Sequence, residues 1–322
     1  MKKIIIFLIL ILSFGLLSAC GGVGKSAEPA ESPSKGENNS SEEEPGSSQS
    51  PTETDKTNWN DDGVLKILTI GNSFSDDSME YVAEIALAAG VKEVKLGNLF
   101  VASCSLTMHA NNARSDAAAY EYRVNSGAGW STTYGYKMSD AIKSENWDYI
   151  SLQQASGSSG LPSTYGASLN YMIDYVKKNA ESGSKLVWNM TWAYQQNSAH
   201  EDFSRYNRDQ ITMYNAIVEA VQDKVETRSE FSLVIPTGTA IQNARTSYVG
   251  DNLTRDGFHL TMDFGRYIAG LTFVGKLTGL SLDRVNFVPG GVSASYKKIA
   301  VESVDNAIEK PYTITPSSFS EK

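Results

Sequence analysis

The chain has 322 residues, 41% hydrophobic and 20% charged, a balance that suits a globular protein and excludes a multi-span membrane protein or a wholly disordered one. Its net charge of −9, with no dense run of Lys and Arg, argues against nucleic acid as a partner. Two cysteines and three scattered histidines exclude a disulfide framework and give no metal-ligand spacing, so neither metal nor cofactor is expected.

Lys2 and Lys3 precede the apolar run 4–17, which is short for a bilayer span and ends in Leu17-Ser18-Ala19-Cys20. This pattern resembles a bacterial lipoprotein signal: residues 1–19 would be removed and Cys20 lipidated, placing the exported protein on a membrane or outer surface. Two or more acyl chains, at about 0.8 kcal/mol per buried methylene, give stable anchoring. With Cys20 modified, Cys104 has no intrachain partner. Residues 20–62 are rich in Ser, Glu, Gly and Pro, carry the acidic run Glu42-Glu43-Glu44, and hold almost no large apolar residue. They read as a tether without a core of its own, with a reach of roughly 30–40 Å.

A folded domain is expected over residues 63–312. Residues 64–70 form an apolar strand, and 78–89 a helix with Met79, Val82, Ile85 and Ala86 on one face. A second strand spans 94–101, followed by a loop of small residues and a short helix over 106–112. Residues 119–138 interrupt the rhythm: aromatic and β-branched residues flank Asn125-Ser126-Gly127-Ala128-Gly129, which predicts a β-hairpin insertion. Strands at 148–153, 185–191 and 231–235 then alternate with helices at 165–180, 203–224 and 236–244. The 203–224 helix would bury Ile211, Tyr214, Ile217, Val218 and Val221. Helices over 261–277 and 293–309 close the domain. Strands separated by helices predict an α/β fold, a three-layer α/β/α domain with a mainly parallel, flavodoxin-like sheet.

Ligands of such sheets bind at the carboxyl ends of the strands. Gly71, Asn72 and Ser73 follow the first strand there, Ser103 and Cys104 the second, Gln153 and Gln154 the next parallel one, and Trp192 the one after. The loop before the last long helices carries Asp256-Gly-Phe-His259. A serine hydroxyl needs a neighbouring base, and His, titrating near neutral pH, is the usual one. Asp256 lies three residues before His259, close enough to orient its ring. Ser73, His259 and Asp256 are therefore the candidate nucleophile, base and orienting acid.

Gly71-Asn72-Ser73 and Asp256-x-x-His259 resemble the first and last blocks of the SGNH (GDSL-type) hydrolase superfamily, in a branch that opens Ile-Gly-Asn-Ser-Phe-Ser. The resemblance spans about residues 66–279. Two intermediate blocks depart from it. Ser103 and Cys104 stand near the usual oxyanion glycine, and Leu152-Gln153-Gln154 replaces Gly-x-Asn-Asp, leaving open which Gln faces the site. The resemblance implies a serine esterase whose oxyanion donors are the Ser73 amide, an amide at Ser103 or Cys104, and a side chain of Gln153 or Gln154. Asn72 and Trp192 are expected to touch substrate, Trp192 equally fitting the core. Cys104 and Trp188 read as buried, His109 as structural and His200 as a solvated loop residue. The substrate would be an acylated small molecule or polysaccharide, with a lipid ester or thioester as the rival. A lipid-anchored solute- or carbohydrate-binding protein on the same fold is the non-enzymatic alternative.

Overall fold

Val64–Gly71 is almost unbroken apolar sequence, and Leu65, Ile67, Leu68 and Ile70 are all buried. Such a run is apolar on both faces, so it requires cover above and below, the condition of a central strand in a parallel sheet. In the computed structural model, which describes residues 62–321, this strand (β1) lies in the middle of a seven-stranded sheet. The others are β2 (Glu93–Phe100), β3 (Tyr120–Asn125), β4 (Ser131–Tyr136), β5 (Tyr149–Leu152), β6 (Lys185–Asn189) and β7 (Phe231–Ile235), in the order β4-β3-β2-β1-β5-β6-β7. Strands β2, β1, β5, β6 and β7 are parallel, and β3 and β4 add antiparallel to the β2 edge. The parallel part thus has the flavodoxin-like order expected. The signal segment, Cys20 and nearly all of the tether lie outside the described residues.

The helices are α1 (Ser73–Met79), α2 (Val82–Ala88), α3 (Leu106–Arg114), α4 (Met138–Lys143), α5 (Gly166–Asn179), α6 (Gln210–Val221), α7 (Thr237–Arg245), α8 (Phe264–Thr278) and α9 (Ala294–Glu309). α1, α2, α7, α8 and α9 pack together on one face of the sheet, and α3, α4 and α5 on the other. Right-handed crossovers place α6 with the second group. Every residue of α8 except Lys276 is buried, because its neighbours enclose it on all sides. Among the described residues, no helix is long and apolar enough to cross a membrane.

Three expectations change. The helix expected over 78–89 is two, α1 and α2, and it begins five residues earlier, at Ser73 itself. The long helix expected from 203 starts at Gln210: residues Glu201–Tyr206 form a tight turn, and Asn207 and Arg208 both take left-handed backbone (φ +56° and +53°), which ends one helical run before the next begins. Ile211, on the first turn of α6, is consequently 44% exposed rather than buried. The hairpin at 119–138 forms as expected and extends the main sheet, with Asn125 Oδ1 accepting from the Gly127 and Gly129 amides in its turn. Past residue 312 the chain stays attached, the Phe319 carbonyl accepting from the Tyr248 amide.

His109 is structural. It is buried on α3, its ring parallel to Tyr120 with Nδ1 3.0 Å from the Tyr120 hydroxyl, and Nε2 has no partner. Burial pushes its pKa down to about 3, so the ring is neutral at neutral pH. The unfolded chain, with an ordinary histidine, takes up a proton first. Stability should therefore fall as pH drops from about 6.5 toward the folded value, by up to about 1.4 kcal/mol per pH unit. Denaturant unfolding at neutral pH and at about pH 5 should show a loss near 2 kcal/mol from this group that His109→Gln removes.

Candidate active site

At the carboxyl end of β1 the chain passes from strand to helix within one residue. Asn72, in extended backbone, caps α1: its Oδ1 accepts from the Phe74 amide at 3.0 Å. The same oxygen accepts from Gln153 Nε2 at 3.0 Å, and Asn72 Nδ2 donates to the Cys104 carbonyl at 3.0 Å. Asn72 thus joins the ends of β1, β2 and β5. Gly71 has no room for a side chain, since a Cβ there would lie 2.7 Å from Ser75 Oγ. Ser73 is left as the first helical residue, its amide among those a helix start leaves unpaired.

The second half of the site is a closed loop. Thr254 and Leu260 pair across its base, and the Arg255 amide donates to the His259 carbonyl at 2.9 Å. Asp256 Oδ1 accepts from the Phe258 and His259 amides at 3.2 and 2.8 Å, a local turn that Asp favours. Gly257 supplies the left-handed residue (φ +94°), and a Cβ there would crowd Ser198 at about 3 Å. Two bonds hold the tip from the β6 side: Trp192 Nε1 donates to the Phe258 carbonyl at 2.7 Å, and the Gln195 amide to the Gly257 carbonyl at 2.8 Å.

These two segments, 186 residues apart, meet. Asp256 Oδ2 lies 2.6 Å from His259 Nδ1, and His259 Nε2 lies 2.7 Å from Ser73 Oγ. Partial burial works against the Asp256 charge, but the His259 ring and the two amides outweigh it and hold the carboxyl below its ordinary value. An ionised Asp256 accepts from Nδ1–H, which leaves the Nε2 lone pair for the Ser73 hydroxyl proton. The three groups have the geometry in which a serine can be deprotonated as it attacks.

The remaining site residues divide. Ser103 is exposed and left-handed (φ +54°), the conformation a glycine would take without strain, and its amide has no hydrogen-bond partner among the described residues. The Cys104 amide is committed to the Val101 carbonyl at 3.2 Å, so it is not free for an oxyanion. Its thiol is buried and pushed up to about 12 by desolvation, which makes it inert. Gln154 turns away: Oε1 accepts from the Leu106 and Ala155 amides, and Nε2 donates to Thr164. Gln153 is the one that faces the turn at Asn72 and Ser73. Its Nε2 donates once, to Asn72, and its Oε1 accepts from Asn189 Nδ2 at 3.2 Å, while Asn189 Oδ1 accepts from Thr237.

Two expected substrate contacts are corrected. Asn72 is 2% exposed and its side chain is held within the protein by three hydrogen bonds. Trp192 is completely buried, its ring stacked on Phe74 at 4.2 Å, so it supports α1 and the His259 loop rather than presenting a platform. His200 is half-buried, not solvated: its Nδ1 accepts from the Asp202 amide, and its ring edge meets Phe258 at 4.7 Å. Among the described residues, no group of three or more His, Cys, Asp or Glu is placed to hold a metal. Asp77, Asn189 and Thr237 were not singled out from the sequence. The available signal for Asp77 was its place four residues after Ser73, on the same helix face; for Asn189, it was an amide ending an apolar strand at the carboxyl edge.

Residues 66–307 match the model of a domain of unknown function, DUF4886, and the chain belongs to that family. It is 39% identical to a DUF4886 protein from Bacteroides uniformis whose crystal structure is known, with a TM-score of 0.76 over 78% of this chain and 97% of that one. More distant similarity extends to a candidate SGNH hydrolase from Slackia heliotrinireducens (18% identity, TM-score 0.44, 66% of this chain and 97% of that one). It also extends to an acetylxylan esterase from Geobacillus stearothermophilus (12%, TM-score 0.43, 68% and 95%). No curated protein matches.

The left-handed Ser103 generates a prediction. Ser103→Gly should fold and melt close to the unaltered protein, because glycine accepts this backbone. Ser103→Val, β-branched at positive φ, should lose about 1–3 kcal/mol in thermal or denaturant unfolding.

Proposed function

We propose that this protein is a serine esterase that hydrolyses an acyl ester through a covalent acyl-enzyme. The observation that carries the reading is the unbroken chain Asp256–His259–Ser73, with links of 2.6 and 2.7 Å. Ser73 Oγ attacks the carbonyl carbon as His259 Nε2 takes its proton. The tetrahedral oxyanion is met by the Ser73 and Ser103 amides, with Gln153 holding Asn72 in place beneath them. His259 returns the proton to the departing alkoxide, and the C–O bond breaks to leave the acyl group on Ser73. Water, deprotonated by His259, then releases the acid and restores the hydroxyl. Each oxyanion donor of this kind is worth about 3–4 kcal/mol of barrier.

The substrate class we propose is a small acyl ester, acetyl above all, on a carbohydrate. Its support is the resemblance to SGNH esterases and the lipoprotein signal at Cys20, which would hold an exported enzyme at the cell surface beside polysaccharides. Buried Trp192 contributes no sugar platform, so specificity for the alcohol must reside in other exposed groups around Ser73. A purely solute-binding role would leave the ordered Ser73–His259 bond without a use.

Turnover of para-nitrophenyl acetate by the mature chain tests the reading. Ser73→Ala should lower kcat by about three or more orders of magnitude, and a fluorophosphonate probe should label Ser73 alone. Equal turnover by wild type and Ser73→Ala, or a folded wild type that the probe does not label, would sink it.

A further inference from the structure

Asp77 carries a side chain with no exposure at all on α1, one turn beyond Ser73. A buried carboxylate must be compensated in full. Asp77 Oδ1 accepts from Arg266 Nε at 2.8 Å and from Arg255 Nη1 at 3.0 Å, and Oδ2 accepts from the Leu260 amide at 2.8 Å. Arg266, itself buried on α8, also pairs with Glu80 at 2.8 Å. Arg255 reaches the Leu260 carbonyl as well. Residues 255 and 260 are the two flanks of the loop whose tip presents Asp256 and His259. One carboxylate on the nucleophile's helix therefore grips both flanks of the base's loop.

The loop's other attachments, to Trp192 and Gln195, run to the chain that follows β6. Among the described residues, the hydrogen bonds that join this loop to α1 are those of Asp77 and the Ser73–His259 bond itself. Resting on the esterase reading, we infer that Asp77, acting through Arg255 and the Leu260 amide, is the positioning residue that sets His259 at bonding distance from Ser73. Arg266 fixes the Asp77 carboxylate, and Arg255 and Leu260 take their places from it. Asp77 touches no reacting atom; it controls whether the base and the nucleophile share a proton.

Arg255 gives the cleaner variant, because its side chain is 33% exposed and its removal leaves Asp77 paired with Arg266. In the full chain, Arg255→Ala should lower kcat on para-nitrophenyl acetate about a hundredfold, the effect of displacing a reacting group by about 1 Å, with KM unchanged within about twofold. Fluorophosphonate labelling should slow in parallel, the melting temperature should hold, and Arg255→Lys should restore part of the rate. An activity-independent cycle runs beside this. NMR resonances of the His259 ring should move on Ser73→Ala in the wild-type background and stay still on Ser73→Ala in the Arg255→Ala background. A folded Arg255→Ala with wild-type kcat, a loss confined to KM, or an equal response of His259 to Ser73→Ala in both backgrounds would overturn the inference. A wild type that neither turns over nor labels would instead defeat the esterase reading, and the NMR cycle would still decide the role of Asp77.

Discussion

A carboxylate sealed from solvent has to be neutralised, and the neutralisation of Asp77 ties the 254–260 loop and α8 to α1. Its partners come from two segments far along the sequence, the 254–260 loop and α8. Replacing the buried Asp77–Arg266 pair by apolar groups could leave stability unchanged, whereas removing one of those two strands a charge at a cost of about 3–5 kcal/mol. The cluster is thus better understood as a device for specifying position than as a source of stability. It converts a loop that packing alone would place only roughly into one held at hydrogen-bond precision against α1.

The flavodoxin-like order explains why the remaining polar groups gather where they do. In such a sheet the connection reverses beside the first strand, and the chain ends at β1 and β5 diverge to leave a crevice at their carboxyl edge. Ser73 leaves β1 there and Gln153 leaves β5. Asn72, Gln153, Asn189 and Thr237 form a hydrogen-bonded row along this edge, from β1 across β5 and β6 to the start of α7 beyond β7. Each is buried and each has a partner within the row, which avoids the penalty for buried amides left unmade.

The strands and most helices were legible because burial on both faces of a parallel sheet leaves continuous apolar runs, and helices that cover it keep a 3.6-residue stripe. The meeting of Ser73 with the Asp256–His259 pair was legible for a different reason: two side chains three residues apart need only a local turn to bond each other. What was not legible depended on which way a side chain points. Asn72 adjoins Ser73 in sequence and Trp192 stacks on Phe74, yet both face inward, and no pattern of residue types distinguishes an amide that caps a helix from one that touches substrate. Gln153 and Gln154 alternate across the strand end, and only the pairing register of β5 decides that Gln153 faces Asn72. The break before α6 was hidden because Asn207 and Arg208 both take left-handed backbone, which for arginine no propensity suggests.

The two places where the sequence departs from the SGNH motifs it resembles have a common physical resolution. Where a glycine would take positive φ freely, Ser103 takes it with a short polar side chain, a strain that a large buried core can carry. Where a strand-end Asn would offer its amide to the oxyanion, Gln153, longer by one methylene, commits one N–H to Asn72 instead and stiffens the turn that presents Ser73. On the proposed esterase reading, the backbone amides of Ser73 and Ser103 would be the donors fixed before substrate arrives. Because they belong to a capped helix start and a turn locked by the Cys104–Val101 bond, they would need no reorganisation as charge develops on the carbonyl oxygen. On that reading, backbone geometry rather than residue type would supply the donors.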